Sequence, residues 1–364
     1  MLENKNVRIL LGIIGIVLLA YVLWNIRTII IYFFAASIIA FVAHPLMRLL
    51  GKIKIKDYQL PNWLKSALVL VAFVFIIFSA VKLLIPTVLK QADIISQIDT
   101  NVLIDRLEPQ MASIMKWMKK ANIDESEIDK MLQDEINKIF TIGDIGAYFK
   151  NFISGLTGSL IAAFSVLFIS FFLIKDGSIV DNVVASLTPD SYLEKIKTIF
   201  NDTKNLLSRY FIGVIIQISI IITVVTIGLM ILGVENALFI GVIAGIFNII
   251  PYVGPLIGGT IGISLAITSQ LEHIPDLNIM QFGLLALIPF AVAQVLDNFV
   301  LQPFIFSKSV KAHPLEIFIV ILAAGNLGGV GGMIVAVPVY SFLRIVAREF
   351  FNGYKVVQGL TKNI

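Results

Sequence analysis

The stretch ALFIGVIAGIFNIIPYVGPLIGGTIGISLAITSQ, Ala237 to Gln270, decides how this chain folds. It is an apolar run cut near its middle by Asn248, Pro251, Gly254 and Pro255. Proline removes a backbone donor and clashes with the preceding turn, and glycine takes up the backbone angles at which helices end. Hydrocarbon cannot satisfy the freed backbone groups, so such a break survives only under protein or in a water-filled cavity. A second stretch has the same form: PLEIFIVILAAGNLGGVGGMIVAVPVYSFLRIV, Pro314 to Val346, broken at Gly325, Asn326, Gly328, Gly329, Gly331 and Gly332. Paired interrupted segments point to a transporter binding site.

Composition sets the solvent. The 364 residues are 58% hydrophobic and 14% charged, against about 25% charged in a soluble domain. Mean hydropathy is +0.92. The chain reads as an all-α integral membrane protein. It has no cysteine, hence no disulfide, thiolate metal site or cysteine nucleophile. His44, His273 and His313 are scattered, with no metal-binding spacing between them. A net charge of +4 suits basic cytoplasmic loops and points to no nucleic acid. No nucleotide, metalloprotease or Ser/His/Asp pattern appears, so neither an enzyme nor a cofactor is expected.

A span needs about 20 apolar residues. Five regions follow. Residues 1–86 hold helices at Val7–Trp24, Thr28–Met47 and Leu64–Pro86. The first is read as retained rather than as a cleaved signal, since no small-residue cleavage site follows it. Residues 87–151 form an acidic, amphipathic extracytoplasmic stretch. Residues 152–208 hold a fourth helix, Phe152–Ile174, and an amphipathic cytoplasmic segment. Residues 209–348 form a transport domain: helix 5 at Arg209–Leu232, the first interrupted stretch, helix 6 at Met280–Val300, and the second stretch. Residues 349–364 are a cytoplasmic tail.

Lys and Arg collect in cytoplasmic loops. Arg48, Lys52, Lys54, Lys56 and Lys65 place that loop inside, with both termini. Arg27, in the outer turn, is a misfit. If each interrupted stretch returns to its own side, Glu272 and Asp276 stay outside while Lys308 and Lys311 stay inside. The half-segments, roughly 11–17 residues, are short for a crossing. The expected architecture is therefore a multi-pass helical bundle with two re-entrant helical hairpins in an inverted repeat. Hairpins entering from opposite faces should bring Asn248 and Asn326 together near the midplane.

Asp297 is the leading chemical candidate. A carboxylate at the centre of a membrane helix costs about 2.5–3.5 kcal/mol on insertion scales, which makes it a functional residue by default. Gln294 and Asn298 share its polar face at helical spacing, and Gln302 follows as a further candidate. Such a face can bind a small polar solute or a monovalent cation, or couple transport to protons or sodium. The competing reading is an interfacial Asp297 paired with Lys308 or Arg209. Asn248 and Asn326 can cap the broken helices or contact substrate. The breaks at Pro251, Gly254, Pro255, Gly328, Gly329, Gly331 and Gly332 allow close backbone approach. Gln217 reads as packing glue and His313-Pro314 as a helix start.

NIIPYVGPLIG at Asn248–Gly258 resembles the signature of the autoinducer-2 exporter family of bacterial permeases. The block Asp297–Val346 is similar too, in its Asp-Asn before Gln-Pro, His-Pro-Leu, Gly-Gly-x-Gly-Gly and Val-Pro. Phe304 stands where the family usually has Arg. The resemblance runs over nearly the whole chain and implies a transporter of the bacterial inner membrane. Some members export autoinducer-2 and others exchange sodium or lithium for protons. It also implies a homo-oligomer. A non-transporting scaffold or channel is the alternative from another class.

Overall fold

The computed structural model describes residues 14–15, 17–18, 21–22, 24–52, 54–55, 58–97, 160–274, 278–309 and 312–361. Most of the helix expected at Val7–Trp24, most of Thr87–Asn151, and Asp276 and Lys311 lie outside them. Among the described residues the protein is almost wholly helical. In chain order the elements are α1 (Arg27–Gly51), β1 (Lys54–Ile55), β2 (Tyr58–Gln59), α2 (Asn62–Gln97), α3 (Leu160–Lys175), α4 (Ile179–Leu187), α5 (Leu193–Ile231), α6 (Ala237–Phe247), α7 (Val253–His273), α8 (Ile279–Leu296), α9 (Gln302–Ser309), α10 (Pro314–Phe351) and α11 (Lys355–Thr361). Among the described residues six helices are long and apolar enough to cross a membrane. Large apolar side chains such as Val71, Phe75, Phe78, Leu284 and Val295 lie exposed along them, as a lipid-facing surface requires.

The chain divides into two compact units. The first comprises Met1–Val74 and Leu156–Ile196. In it α1 packs on α3 through small residues: Ala36, Ala43 and Ser170 have no exposed surface. Small side chains let membrane helices approach closely. Ser170 Oγ donates to the Val166 carbonyl at 2.6 Å within its own helix and reaches the Ala36 carbonyl at 3.5 Å. The apolar α3 and α4 meet at 85°.

The second unit comprises Phe75–Gly155 and Lys197–Ile364, and every candidate site residue lies in it. Two expected boundaries are corrected here. The third helix does not stop at Pro86 but runs to Gln97; a proline inside a helix bends it or removes one bond without necessarily ending it. The amphipathic segment before Arg209 is not wholly separate from helix 5. Its Leu193–Ser208 part and helix 5 form the 39-residue α5, since no Gly or Pro interrupts Leu193–Ile212, while Ile179–Leu187 is α4.

α5 runs antiparallel to α8–α9. A methyl group at Gly213 would meet Ile305 at 2.9 Å and one at Gly228 would meet Pro289 at 2.6 Å. After α5 the chain turns at Gly233, whose φ of 77° is left-handed, and enters α6. α6 and α7 form an antiparallel pair. A methyl at Gly258 would meet the Ala244 Cα at 3.3 Å, and Gln270 Nε2 returns to donate to the Gly233 carbonyl at 2.7 Å. The pair therefore begins and ends at the same end of α5.

α10 also folds back. Thirty-eight residues of straight helix would reach about 57 Å. Instead Tyr340 Oη donates to Glu316 Oε2 at 2.9 Å, and a methyl at Gly332 would overlap the Ala324 carbonyl. The reversal lies at Gly329, with φ 59° and ψ −149°, a conformation essentially confined to glycine. His313 caps this element: its Nδ1 accepts from the Leu315 amide at 3.2 Å, with Pro314 in the first turn, where a missing N–H costs nothing.

Candidate functional site

α8 and α9 are joined by a π-helical turn, Asp297–Leu301. The Gln302 amide donates to the Asp297 carbonyl, five residues back. Pro303 has no amide hydrogen to give to a carbonyl four residues earlier, so the local sequence favours a wider turn. In a regular α-helix, positions five apart lie about 140° apart around the axis. Here the turn stacks them, and Gln302 Nε2 donates to Asp297 Oδ2 at 2.8 Å. π-turns of this kind recur at functional sites.

Asp297 has no exposed surface. Its other partners come from two further elements. Gln217 Nε2 on α5 donates to Oδ1 at 2.6 Å. Asn248 Nδ2, at the end of α6, approaches Oδ2 at 3.4 Å. Among the described residues its partners are thus amides; Arg209 is not one of them, and the Lys308 side chain lies outside the description. Gln294 Nε2 donates to Asn298 Oδ1 at 2.9 Å, and Gln302 reaches the same oxygen at 3.4 Å. One amide set therefore faces the carboxylate and each other.

The turn between α6 and α7 is strained. Tyr252 has φ 67° and ψ −50°, and the Val253 amide donates to the Pro251 carbonyl at 2.8 Å. This is a γ-turn with positive φ at a non-glycine centre, a rare and costly form. Neighbouring contacts hold it: the Tyr252 and Phe318 rings meet edge-on with centroids 5.7 Å apart, and Ile250 is buried beside Ile317 and Ile321.

Beside Asp297 lies a cavity of about 900 Å³. Asn248, Gln294, Asn298 and Gln302 line it, as do Tyr252 and Pro255. Asp297 does not; two of its donors stand between it and the space. Among the described residues, no group of three or more His, Asp or Glu could hold a metal ion.

Asn248, Gln294, Asp297, Asn298 and Gln302 are thus brought together. Asn326 is not. It is exposed at the Gly329 reversal, next to Leu327 at 88% exposed, and does not line the cavity. The arms of that pair, through Ile321, Ala336 and Val337, pack towards Tyr210 and Ile250; the turn itself is left outside. Pro251 and Gly254 are buried in the first turn, whereas Gly328, Gly329 and Gly331 are exposed and Gly332 is half-buried.

Sequence alone reads Gln217 as packing glue, yet it makes the shortest contact to the carboxylate. The signal was available only jointly: a lone amide in an apolar helix, set at a depth that meets Asp297 once helices 5 and 6 are laid antiparallel.

A family model described as "AI-2E family transporter" matches residues 13–352. "Putative transport protein YueF" of Bacillus subtilis is 27% identical over 89% of this chain and 84% of its own length. A "Putative transport protein" of Thermotoga maritima is 25% identical over 97% of this chain and 99% of its own. "Putative permease PerM" of Escherichia coli is 22% identical, covering 79% of each.

Proposed function

This chain belongs to the AI-2E family of transporters, and we propose that it is a secondary transporter that exports a small solute through the cavity beside Asp297. One observation carries this: a fully buried carboxylate held by three amides, two of which, Asn248 and Gln302, also line a space of about 900 Å³. Sites of this kind are mostly apolar, with a few placed polar groups. An autoinducer-2-like signal is the candidate cargo supplied by the family's name. The helical pairs α6–α7 and α10 are read as re-entrant hairpins of an inverted repeat in the bacterial inner membrane, with both termini cytoplasmic. In support, each pair follows one of two antiparallel helices, α5 and α8–α9, and the first returns to the end it left. Its α6 arm, 11 residues, reaches about 16 Å, half of a hydrocarbon core about 30 Å thick; the α7 arm, 21 residues, exceeds the expected half-segment and is long enough to span it.

The buried Asp297 favours a second reading, sodium or lithium exchange for protons. Purified protein in proteoliposomes separates the two. Signal export appears as solute flux, antiport as sodium-dependent proton movement, and a scaffold gives neither. Asp297→Asn keeps the size and removes the charge. It should leave expression and assembly intact and abolish coupled transport, while Asp297→Glu retains part of it. Normal transport by the Asn variant, with unchanged pH dependence, would make Asp297 structural.

A further inference from the structure

Resting on the transporter reading, we propose that the cavity takes an uncharged amphipathic solute, with a hydrogen-bonding head and an apolar body. The cavity has two unlike ends because α7 and α8 run antiparallel. A side chain at Gly262 would overlap Phe290, and one at Gly283 would meet Ile267 at 3.4 Å. Tyr252 at the start of α7 therefore lies towards Asn298 and Gln302, and Ile263 lies towards Leu287. At the first end the wall includes Asn248, Gln294, Asn298 and Gln302; towards the other it includes Ile263, Leu287 and Phe290, with Thr260 between. From Tyr252 to Ile263, α7 rises about 16 Å, so the two ends are separated by more than one functional group.

Charge then narrows the class. None of the described lining residues is an Asp, Glu, Lys, Arg or His. Among the described lining residues a bound anion would find no counter-charge, and burying an unpaired charge is strongly unfavourable. A cation would have to displace Asn248 and Gln302 to reach Asp297, whose oxygens they already engage. Amides offer both donors and acceptors, which suits a neutral hydroxyl, carbonyl or amide head. A wholly hydrophilic solute would leave the Phe290 end facing polar groups that it cannot satisfy. The rim fits an amphipathic guest as well: Leu256 is 74% and Leu287 48% exposed, so the cleft opens past apolar side chains that a lipid-soluble solute can cross.

The chain has no native cysteine, which permits a direct test on the full-length protein in proteoliposomes. Thr260→Cys places a thiol on the cavity wall. Its maleimide alkylation rate is measured with three probes that share one apolar body: 1-naphthalenemethanol, 1-naphthoate and 1-naphthylmethylammonium, and with sodium alone. The neutral alcohol should slow alkylation about tenfold at ten times its apparent Kd. The two charged probes and sodium should not. Asn298→Leu with Gln294→Leu should remove the protection, and a cysteine at the exposed Leu327 should show none. Equal protection by the ammonium probe or by sodium would overturn the neutral class and move the assignment to a cation site. Absence of protection by any probe, in vesicles that still carry flux, would overturn it while leaving the transporter reading intact. A thiol that reacts only after copies of the chain are dissociated would put a second copy over the cleft and overturn it too. Lack of flux together with intact protection by the alcohol would instead count against the transporter reading alone.

Discussion

Asp297 and Gln217 sit on different helices, yet their side chains are 2.6 Å apart. A hydrogen bond to a charged group contributes about 1.5–3 kcal/mol, and its loss leaves a buried acceptor short of a donor. Gln217→Leu should therefore lower stability by about that amount, seen as a lower unfolding midpoint in detergent. A variant as stable as the parent would mean that the amide contributes nothing to holding the carboxylate. Tyr252 offers a second test at this scale. Its positive φ is tolerated by glycine and resisted by alanine. Both Tyr252→Gly and Tyr252→Ala lose the ring contact with Phe318, so their difference isolates the backbone. The glycine variant should be the more stable by about 1–3 kcal/mol; equal midpoints would show that the turn carries no strain.

Elements in this fold are shaped by where helices are allowed to stop. Pro86 does not end α2, while glycine at position 329 does reverse α10. Gly329 and Gly331 both have open space where a side chain would go, but only Gly329 has a positive φ. Gly329→Ala should cost about 1–3 kcal/mol more than Gly331→Ala, read as the gap between their unfolding midpoints. If the two substitutions behave alike, the reversal does not depend on glycine geometry. Packing between elements is tested at Gly228, where a methyl would sit 2.6 Å from the Pro289 Cβ. Overpacking of this kind costs about 1–3 kcal/mol, so Gly228→Ala should destabilise the α5–α8 contact, and an unchanged melting curve would argue against the antiparallel register.

At the scale of the whole molecule, the arrangement of the two pairs predicts an accessibility pattern. Single cysteines replacing Glu235, before α6, and Asn278, after α7, should label from the same face of the membrane. A cysteine replacing Asn352, beyond α10, should label from the opposite one. Labelling of positions 235 and 278 from opposite faces would make the first pair a crossing rather than a re-entrant hairpin. The far end is pinned by an ion pair between Arg348 and Asp202 of α5, and by Arg344, which donates to the Leu360 carbonyl of α11. Paired cysteines at Asp202 and Arg348 should accordingly crosslink with a short reagent.

The sequence by itself determined the solvent, the helical class and the places where helices break. Hydropathy, Pro251, Pro255 and the glycines around position 329 are local properties, and hydrocarbon leaves few alternatives to helix. It also singled out Asp297 with Gln294, Asn298 and Gln302, because a carboxylate in an apolar stretch stands out and the amides lie within five residues of it. Only the tertiary structure decided which distant groups complete the site. Gln217 joined it and Asn326 did not, since the α5 register against α8–α9 and the packing of α10 through its arms are contacts between elements. The π-turn that stacks Gln302 on Asp297 belongs to both levels: the Gln-Pro pair permits it, and the buried carboxylate engaging amides from three elements fixes it in place.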